Sequence, residues 1–176
     1  MYTAGIKVNL TEEEVEEAID WGAKNKNSPQ NIFLPWVFGK FGNYEETGTI
    51  FTKTCYLTYL GFFSAREYKT PDKKGVKSTL SLNALGIMVT TFGTKADLRE
   101  SYRIVLQQGK EIIQPGYIGR KKEADPTAGF VKIPYYKFNI TGFFPYSEID
   151  PKAKTTIILI KPQGESRFEV DFSRYK

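Results

Sequence analysis

The stretch PYYKFNITGFFPYSEID, residues 134–150, holds six aromatic rings between a proline and a pair of carboxylates. Successive residues of a β-strand point to opposite faces. One face of this stretch would be apolar, with Tyr136, Phe138 and Ile140. The opposite face would be largely polar and would hold Tyr135, Lys137, Asn139 and Thr141. This division predicts a half-buried strand, and we interpret the rings mainly as core because large rings dominate the buried area of cores.

The end of the same stretch leaves a second interpretation open. Phe143, Phe144 and Tyr146 lie at the predicted end of the strand, where rings commonly close the end of a β-sandwich. Such a cluster could equally be a face on which a ligand stacks, with tyrosine hydroxyls supplying hydrogen bonds. For that case the candidate ligand-binding residues are Trp36, Tyr135 and Tyr146. The solvent exposure of these rings distinguishes a core from a ligand-binding face.

Strand-like runs continue on both sides of this stretch. They are GIMVTTFG, SYRIVLQQ, EIIQP, FVKIPYYKFNITGFF, TTIILIKP and SRFEVDFSR, and they are separated by turn-forming segments such as QGK and GYIGRKKEADPTAG. Alternation is clearest in the last run, where Phe168, Val170 and Phe172 share one face. Successive strands with short polar turns predict an antiparallel β-sandwich, Ig-like in general architecture.

The N-terminal half of the chain has helical patterns. LTEEEVEEAIDWGAKNK predicts an amphipathic helix from about Glu12 to Lys24, with a capping box formed by Thr11 and Glu14. GTIFTKTCYLTYLGFFSAREYKTP predicts a strand to about Lys53 and then a helix, whereas KTPDKKGVK is predicted as a polar loop and STLSLNAL as a short helix or turn. We therefore expect an α+β fold in a single domain, 1–176. Residues 1–85 would form a helix-containing elaboration packed at one edge, and 86–176 would be mainly β-strands.

Composition excludes several classes of function. A chain of 176 residues with 40% hydrophobic residues is long enough to form one globular core. It contains no histidine, which removes Ser-His-Asp, Cys-His and histidine-metal sites. The net charge of +5 is spread along the chain, and acidic residues follow the densest basic run, GRKKEADP, so no nucleic-acid partner is predicted. No apolar run reaches the roughly 18–20 residues that a membrane-spanning helix needs, so no transmembrane segment is predicted.

Carboxylates are the remaining candidates for chemistry. A carboxylate- or metal-dependent hydrolase would require two or more of them to converge in one cleft. The candidates are Glu45, Glu46, Glu148, Asp150 and Asp171. Glu148 and Asp150 are interpreted instead as turn residues, and the lone Cys55 as a small buried hydrophobe. No catalytic residue is identified, and neither a metal site nor a cofactor is predicted.

Five segments taken in order carry a resemblance to other proteins. They are LTEEEVEEAIDWGAK, TIFTKTCYLTYLGFFSAREYK, IIQPG, FPYSEIDPKAKTTIILI and FEVDFSRYK. Together they resemble a loose group of uncharacterised bacterial proteins that are often exported or lipoprotein-like. The resemblance covers most of the chain, and its motifs are structural rather than catalytic. It implies no activity, but it implies a place in the cell envelope if an N-terminal leader has been removed; otherwise the protein is expected in the cytoplasm.

Three hypotheses for function follow. The leading one is a non-enzymatic binding or structural accessory protein of the bacterial cell envelope, acting on an unknown macromolecular partner. The second is a carbohydrate- or small-ligand-binding module that uses exposed aromatic residues. The third is the carboxylate- or metal-dependent hydrolase. An enzyme is the less favoured class, because histidine, the side chain most often used for proton transfer at neutral pH, is missing.

Overall fold

The computed structural model describes residues 5–40, 45–93, 101–120, 125–126 and 136–175. Within these ranges the α-helices all lie in the first half of the chain. They are α1 (Glu12–Lys24), α2 (Pro29–Phe33), α3 (Lys53–Arg66) and α4 (Lys73–Leu80), with a 3-10 turn at Leu34–Trp36. The predicted bounds of α1 are confirmed, and so is its capping box, in which the Thr11 hydroxyl accepts from the Glu14 amide and the Glu14 carboxylate accepts from the Thr11 amide.

The strands form two antiparallel sheets. The strands are β1 (Val37–Gly39), β2 (Thr47–Phe51), β3 (Ala84–Gly93), β4 (Arg103–Gln108), β5 (Glu111–Ile113), β6 (Tyr117–Arg120), β7 (Asp125–Pro126), β8 (Tyr136–Pro145), β9 (Lys154–Lys161) and β10 (Gly164–Asp171). The first sheet has the order β1-β2-β3-β8-β6, and β7 also pairs with β8. The second sheet has the order β10-β9-β4-β5. The predicted class, α+β with antiparallel sheets and helices beside them, is confirmed.

Both sheets contribute to one hydrophobic core. Ile87 and Val89 of β3 and Phe138 and Ile140 of β8 come from the first sheet, and all are 3% exposed or less. The second sheet contributes Ile104 and Leu106 of β4 with Ile157 and Leu159 of β9. The predicted alternation in β8 is confirmed for its described residues, because Phe138 and Ile140 are buried while Lys137 is exposed. Of the three residues predicted to share a face at the C-terminus, Val170 is buried and Phe168 partly buried in β10, whereas Phe172 is buried in the 3-10 turn that follows the strand.

The helices pack beside the first sheet, with α3 touching β2 and pairing closely with α1. Two buried glycines allow this close approach, because a Cβ added at Gly22 or at Gly61 would lie 2.0 Å from a backbone carbonyl oxygen of the other helix. At the start of α3, Lys53 is buried and its Nζ donates to the carbonyl oxygen of Leu80, 2.6 Å away, at the C-terminus of α4. Such a contact satisfies a carbonyl that has no partner within its own helix.

Two predictions of loop structure are wrong. The segment KTPDKKGVK is predicted as a loop, but α4 begins at Lys73. The reason is the N-cap Asp72, whose carboxylate accepts hydrogen bonds from the amides of Lys74 and Gly75 and so satisfies free donors of the first turn. The segment GYIGRKKEADPTAG is predicted as a turn, yet it contains β6 and β7, because both find pairing partners on the open edge of β8. Residues 121–124, which include the two lysines of its basic run, lie outside the described residues.

Candidate functional site

Two of the three rings named as candidate ligand-binding residues are buried. Trp36 is 5% exposed and Tyr146 is 9% exposed, so these two rings follow the interpretation as core rather than the alternative of an exposed ligand-binding face. Tyr146 begins the 3-10 turn Tyr146–Glu148 that follows β8, and it packs in the shared core, with the Lys53 ammonium 5.9 Å from its ring centroid. Burial raises the pKa of the Tyr146 phenol well above its ordinary value. Trp36 lies on the wall of a cavity beside α1. Tyr135 lies outside the described residues.

A different set of rings is exposed on the outer face of the first sheet. The strand registers place Phe51 opposite Gly86, Gly86 opposite Phe143, and Phe143 opposite Tyr117. These four residues therefore form one row that crosses β2, β3, β8 and β6. Neighbouring strands are about 4.8 Å apart, so three steps separate Phe51 from Tyr117 by about 14 Å. Tyr117 is 67% exposed, and its ring lies 5.8 Å from that of Phe143.

Helix α3 extends this row at the β2 end. The ring of Tyr56 stacks on Phe51 with centroids 5.5 Å apart, and Tyr59 stacks on Phe63 at the same distance. Gly86 matters here because a Cβ at this position would lie 3.3 Å from the Tyr56 hydroxyl, so the missing side chain makes room for that ring. We call the whole set the aromatic track. Its members are Phe63, Tyr59, Tyr56, Phe51, Phe143 and Tyr117.

Two shallow clefts follow the aromatic track. One of about 500 Å³ lies between α3, α4 and β2, and the other of about 320 Å³ lies between β8, β6 and the start of β3. Tyr56 lines both clefts and so connects them. The polar groups in them include Ser64, Glu67 and Asn83. The clefts therefore combine flat apolar surfaces with several hydrogen-bonding groups.

A group of small polar side chains lies beside the aromatic track on the same face of the sheet. One row further along the strands come Thr49 and Thr141, and the next row holds Thr90 and Asn139. All four are partly exposed. Residues two apart on a strand are about 7 Å apart, so the nearer row lies within reach of a ligand on the track. The Thr90 hydroxyl donates to Asn139 Oδ1 over 2.8 Å, which leaves the amide group of Asn139 oriented by its neighbour.

The electrostatics of the clefts are nearly neutral. Of the described residues that line them, none is a lysine or arginine, and Glu67 is the one charged side chain. Glu67 is itself paired with Lys69 at 2.9 Å. Burial, and secondly the neighbouring Cys55, raise the pKa of Tyr56 and of Tyr59, so both phenols are protonated donors at neutral pH. The clefts therefore offer stacking surfaces and hydrogen bonds but no positive charge for an anionic ligand.

The candidate carboxylates have separate structural roles. Glu46 Oε1 accepts from the Thr91 hydroxyl at 2.6 Å and from Lys161 Nζ at 3.0 Å, which joins the first sheet to the second. Asp171 accepts from the amide and hydroxyl of Ser173, and these hydrogen bonds lower the pKa of its carboxyl. Asp150 accepts from the Lys152 amide, which confirms its role in a turn. Glu45 and Glu148 are exposed, and none of the five lines the two clefts.

The link between the sheets contains a serine and a lysine, a combination that some hydrolases use for catalysis. Lys161 Nζ donates to Ser166 Oγ over 2.7 Å. A lysine can activate a serine only through an uncharged amine. Here Lys161 is the cation of an ion pair with Glu46, and both side chains are about four-fifths buried, with 19% and 20% exposure. We interpret this group as a clamp between the sheets rather than as a catalytic pair.

Two further searches concern the described part of the chain. Within it, no group of three or more acidic or cysteine side chains is placed to hold a metal ion. Within the same ranges, no helix is long and apolar enough to cross a membrane. Cys55 is buried, as predicted, and burial raises the pKa of its thiol to about 12. A thiol in this state is not a nucleophile at neutral pH.

Comparisons with protein-family models, with curated protein sequences and with solved structures found no match to the chain. The resemblance to exported bacterial proteins therefore stays a prediction. The function has to be inferred from the geometry of the clefts and of the residues around them.

The sequence contains one indication of the aromatic track. If the alternation of β8 is continued past Thr141, Phe143 falls on the polar face rather than in the core, and the structure places it there. Its neighbours Phe51 and Tyr117 belong to strands that are distant in sequence, and only the strand registers bring them beside it.

Proposed function

We propose that this protein is a non-enzymatic binding module that takes a neutral carbohydrate chain along the aromatic track. The observation that carries the proposal is the cross-strand row of Phe51, Phe143 and Tyr117, extended by the stacked rings of α3. Aromatic rings that remain partly exposed in a row offer flat apolar surfaces, and their edges and hydroxyls offer polar contacts. A pyranose ring has the complementary character, with apolar C–H faces and hydroxyls around its edge.

The surroundings of the track favour a carbohydrate over other ligands that stack on aromatic rings. Single-stranded nucleic acid needs basic side chains along its backbone, and none of the described residues lining the clefts is basic. A carbohydrate instead needs hydroxyl, amide and carboxylate partners. Glu67 and Asn83 supply them in the clefts, and Thr49, Thr141, Thr90 and Asn139 supply them beside the track. A track about 14 Å long on the sheet alone fits a short oligosaccharide rather than a single sugar.

The module would act without catalysis. None of the candidate carboxylates lines the clefts, so the paired acids of a glycoside hydrolase are absent from the described lining. A cell-envelope location, where polysaccharides are abundant, belongs to the same proposal. The protein would then be a non-enzymatic accessory protein whose macromolecular partner is a polysaccharide.

A glycan array followed by calorimetric titration with the best soluble oligosaccharide tests the proposal. Tyr117→Ala removes the most exposed ring of the track and should weaken binding about tenfold, the effect of losing roughly 1.4 kcal/mol of stacking. Tyr68→Ala is the matched control, because Tyr68 is 91% exposed and lies off the track. The affinity of the Tyr68→Ala variant for the oligosaccharide should equal that of the unmodified protein.

Two results would overturn the proposal. One is an array on which no neutral glycan binds, and the other is an equal loss of affinity in both tyrosine variants. Binding of a single-stranded oligonucleotide with a steep salt dependence would replace the carbohydrate by a nucleic acid. Binding of a proline-rich peptide that Tyr117→Ala weakens, with no glycan bound, would replace it by a peptide.

A further inference from the structure

The shape of the aromatic track restricts the kind of glycan that it can bind. Residues directly opposite each other in an antiparallel sheet lie on a line perpendicular to the strands. Phe51, Gly86, Phe143 and Tyr117 are opposite one another in succession, so their row crosses the sheet in a straight line from β2 to β6. Sheet twist rotates each strand by about 20–25° relative to its neighbour, mainly around this line. The rings of Phe143 and Tyr117 agree with such a twist, because 33° separates their planes.

Gly86 divides the row into two stacking positions. It lies on β3 between Phe51 on β2 and Phe143 on β8, and it has no side chain of its own. Phe51 and Phe143 are therefore two strands apart, about 10 Å. Both are partly exposed, and each lines one of the two clefts. A ligand on the row thus meets two apolar surfaces, one on each side of Gly86.

A hydroxyl lies between these two positions. A Cβ added to Gly86 would be 3.2 Å from Phe51 Cβ, 3.3 Å from the Tyr56 hydroxyl and 3.6 Å from Phe143 Cε1. The three side chains therefore meet above Gly86. The Tyr56 hydroxyl makes no hydrogen bond to another described residue and, unlike that of Tyr146, it is not completely buried. It can donate to or accept from a ligand that spans the two clefts.

An extended glycan chain fits this arrangement. In a β-1,4-linked chain each sugar ring is turned over relative to the one before it, so alternate rings present the same face along a straight ribbon. Two units of such a chain have about the length that separates Phe51 from Phe143, about 10 Å or two strand spacings. Chains with α-1,4 or β-1,3 linkages wind into helices, and their alternate rings face in different directions.

We propose that the aromatic track binds an extended β-1,4-linked glycan whose chain runs across the strands. Alternate sugar rings stack on Phe51 and Phe143, and the sugar between them forms a hydrogen bond with the Tyr56 hydroxyl. Tyr117 continues the row beyond Phe143 and contacts the next part of the chain. This inference rests on the proposed carbohydrate function, to which it adds the linkage and the direction of the chain.

Calorimetric titration with four hexasaccharides tests the linkage. Cellohexaose and chitohexaose are β-1,4-linked, whereas maltohexaose is α-1,4-linked and laminarihexaose is β-1,3-linked. All but chitohexaose consist of glucose alone, so linkage is the main difference among those three. The better β-1,4 hexamer should bind at least about tenfold more tightly than maltohexaose and laminarihexaose, because it keeps one more stacking contact. The proposal is overturned if neither β-1,4 hexamer binds, or if another linkage is bound as tightly.

Chain length tests the two stacking positions. A β-1,4-linked trisaccharide is the shortest chain that reaches both Phe51 and Phe143. It should therefore bind about tenfold more tightly than the disaccharide of the same sugar. Phe143→Ala, which removes one stacking position, should abolish this advantage. The control Tyr68→Ala should retain it, because Tyr68 is 91% exposed and lies off the track. Equal affinities for the two lengths in the unmodified protein would contradict the proposal.

Tyr56→Phe tests the hydroxyl and also serves if Phe143→Ala does not fold. It keeps the ring that stacks on Phe51 and removes one oxygen. The affinity for the trisaccharide should fall about fivefold, the effect of one lost hydrogen bond, with an unchanged circular dichroism spectrum. An unchanged affinity would refute the role of Tyr56. If the glycan array identifies a ligand with α-1,4 or β-1,3 linkages, the carbohydrate function stands and this inference fails. If no glycan binds to the array, both fail.

Discussion

Replacing Gly22 with alanine should destabilise the protein, although alanine is the better helix former. Gly22 is buried in the last turn of α1, where this helix contacts α3. A Cβ at this position would lie 2.0 Å from the carbonyl oxygen of Thr58 and 2.8 Å from the amide nitrogen of Phe62. Both atoms belong to the backbone of α3, so neither can rotate away. The helices would have to separate by about 1 Å to restore a normal contact.

The expected magnitude combines two opposing effects. Helix propensity alone would make alanine more stable than glycine by about 1 kcal/mol. Overpacking a closely packed contact costs about 1–3 kcal/mol and occasionally more. Because the clash is with backbone atoms and displaces a whole helix, the cost should lie at the upper end. The free energy of unfolding should therefore fall by about 2 kcal/mol.

Urea denaturation followed by far-ultraviolet circular dichroism measures the change. Gly75→Ala is the matched control, because Gly75 is also helical and a Cβ there would be 3.3 Å from Leu60 Cδ2, the end of a flexible side chain. This control should be neutral or more stable by about 0.5 kcal/mol. If Gly22→Ala is as stable as Gly75→Ala, the backbone contact between α1 and α3 is wrong, and so is the geometry of the cavity beside it.

Two further predictions concern titratable groups. Burial raises the pKa of Glu46, but hydrogen bonds from Ser166, Thr91 and Lys161 and the charge of Lys161 outweigh it and hold the pKa below its ordinary value of 4.5. The contribution of Glu46 to stability is therefore complete above about pH 4.5 and is lost as the pH falls through the lowered pKa. Denaturation curves at several pH values should show that Glu46→Gln is less stable than the unmodified protein at pH 7 and loses less stability on acidification. The control Glu45→Gln, at an exposed site, should behave like the unmodified protein. Identical pH profiles for the two variants would contradict the clamp between the sheets. Burial raises the pKa of the Cys55 thiol to about 12. Cys55 should therefore react with a disulfide reagent at pH 8 only as fast as the protein opens, and urea should accelerate the reaction. A fast reaction in the folded state would show that the thiol of Cys55 is not covered.

Local sequence patterns predicted most of the secondary structure because their causes are local. The capping box of Thr11 and Glu14 and the apolar stripe after it determine α1 within a single segment. The strand and helix on either side of Thr52 follow from a change in hydrophobic periodicity and a capping hydroxyl. Where the deciding interaction is a pairing partner, local patterns fail. Strands β6 and β7 form because β8 has an open edge, which no local pattern in their own sequence shows.

The choice of binding residues shows the same limit. Trp36 and Tyr146 are aromatic and lie near turns, which are properties that core and surface rings share, so the sequence could not show that both are buried. Exposure depends on which elements cover a ring. Phe143 and Phe144 are adjacent in sequence and chemically identical, yet one lies on the aromatic track and the other is 0% exposed in the core. Side chains alternate between the two faces of a strand, so neighbouring residues lie on opposite faces, and the second sheet covers only one of these faces.

The sequence by itself determined the α+β class, the bounds of α1, the strand-to-helix order around Thr52 and the absence of histidine chemistry, because these depend on composition and on short-range periodicity. Only the tertiary structure decided which rings are exposed, how Gly86 makes room for Tyr56, and how Gly22 and Gly61 bring two helices together beside an open cavity. The physical reason is that strand register and helix packing join residues far apart in the chain, and a site made in this way has no continuous trace in the sequence.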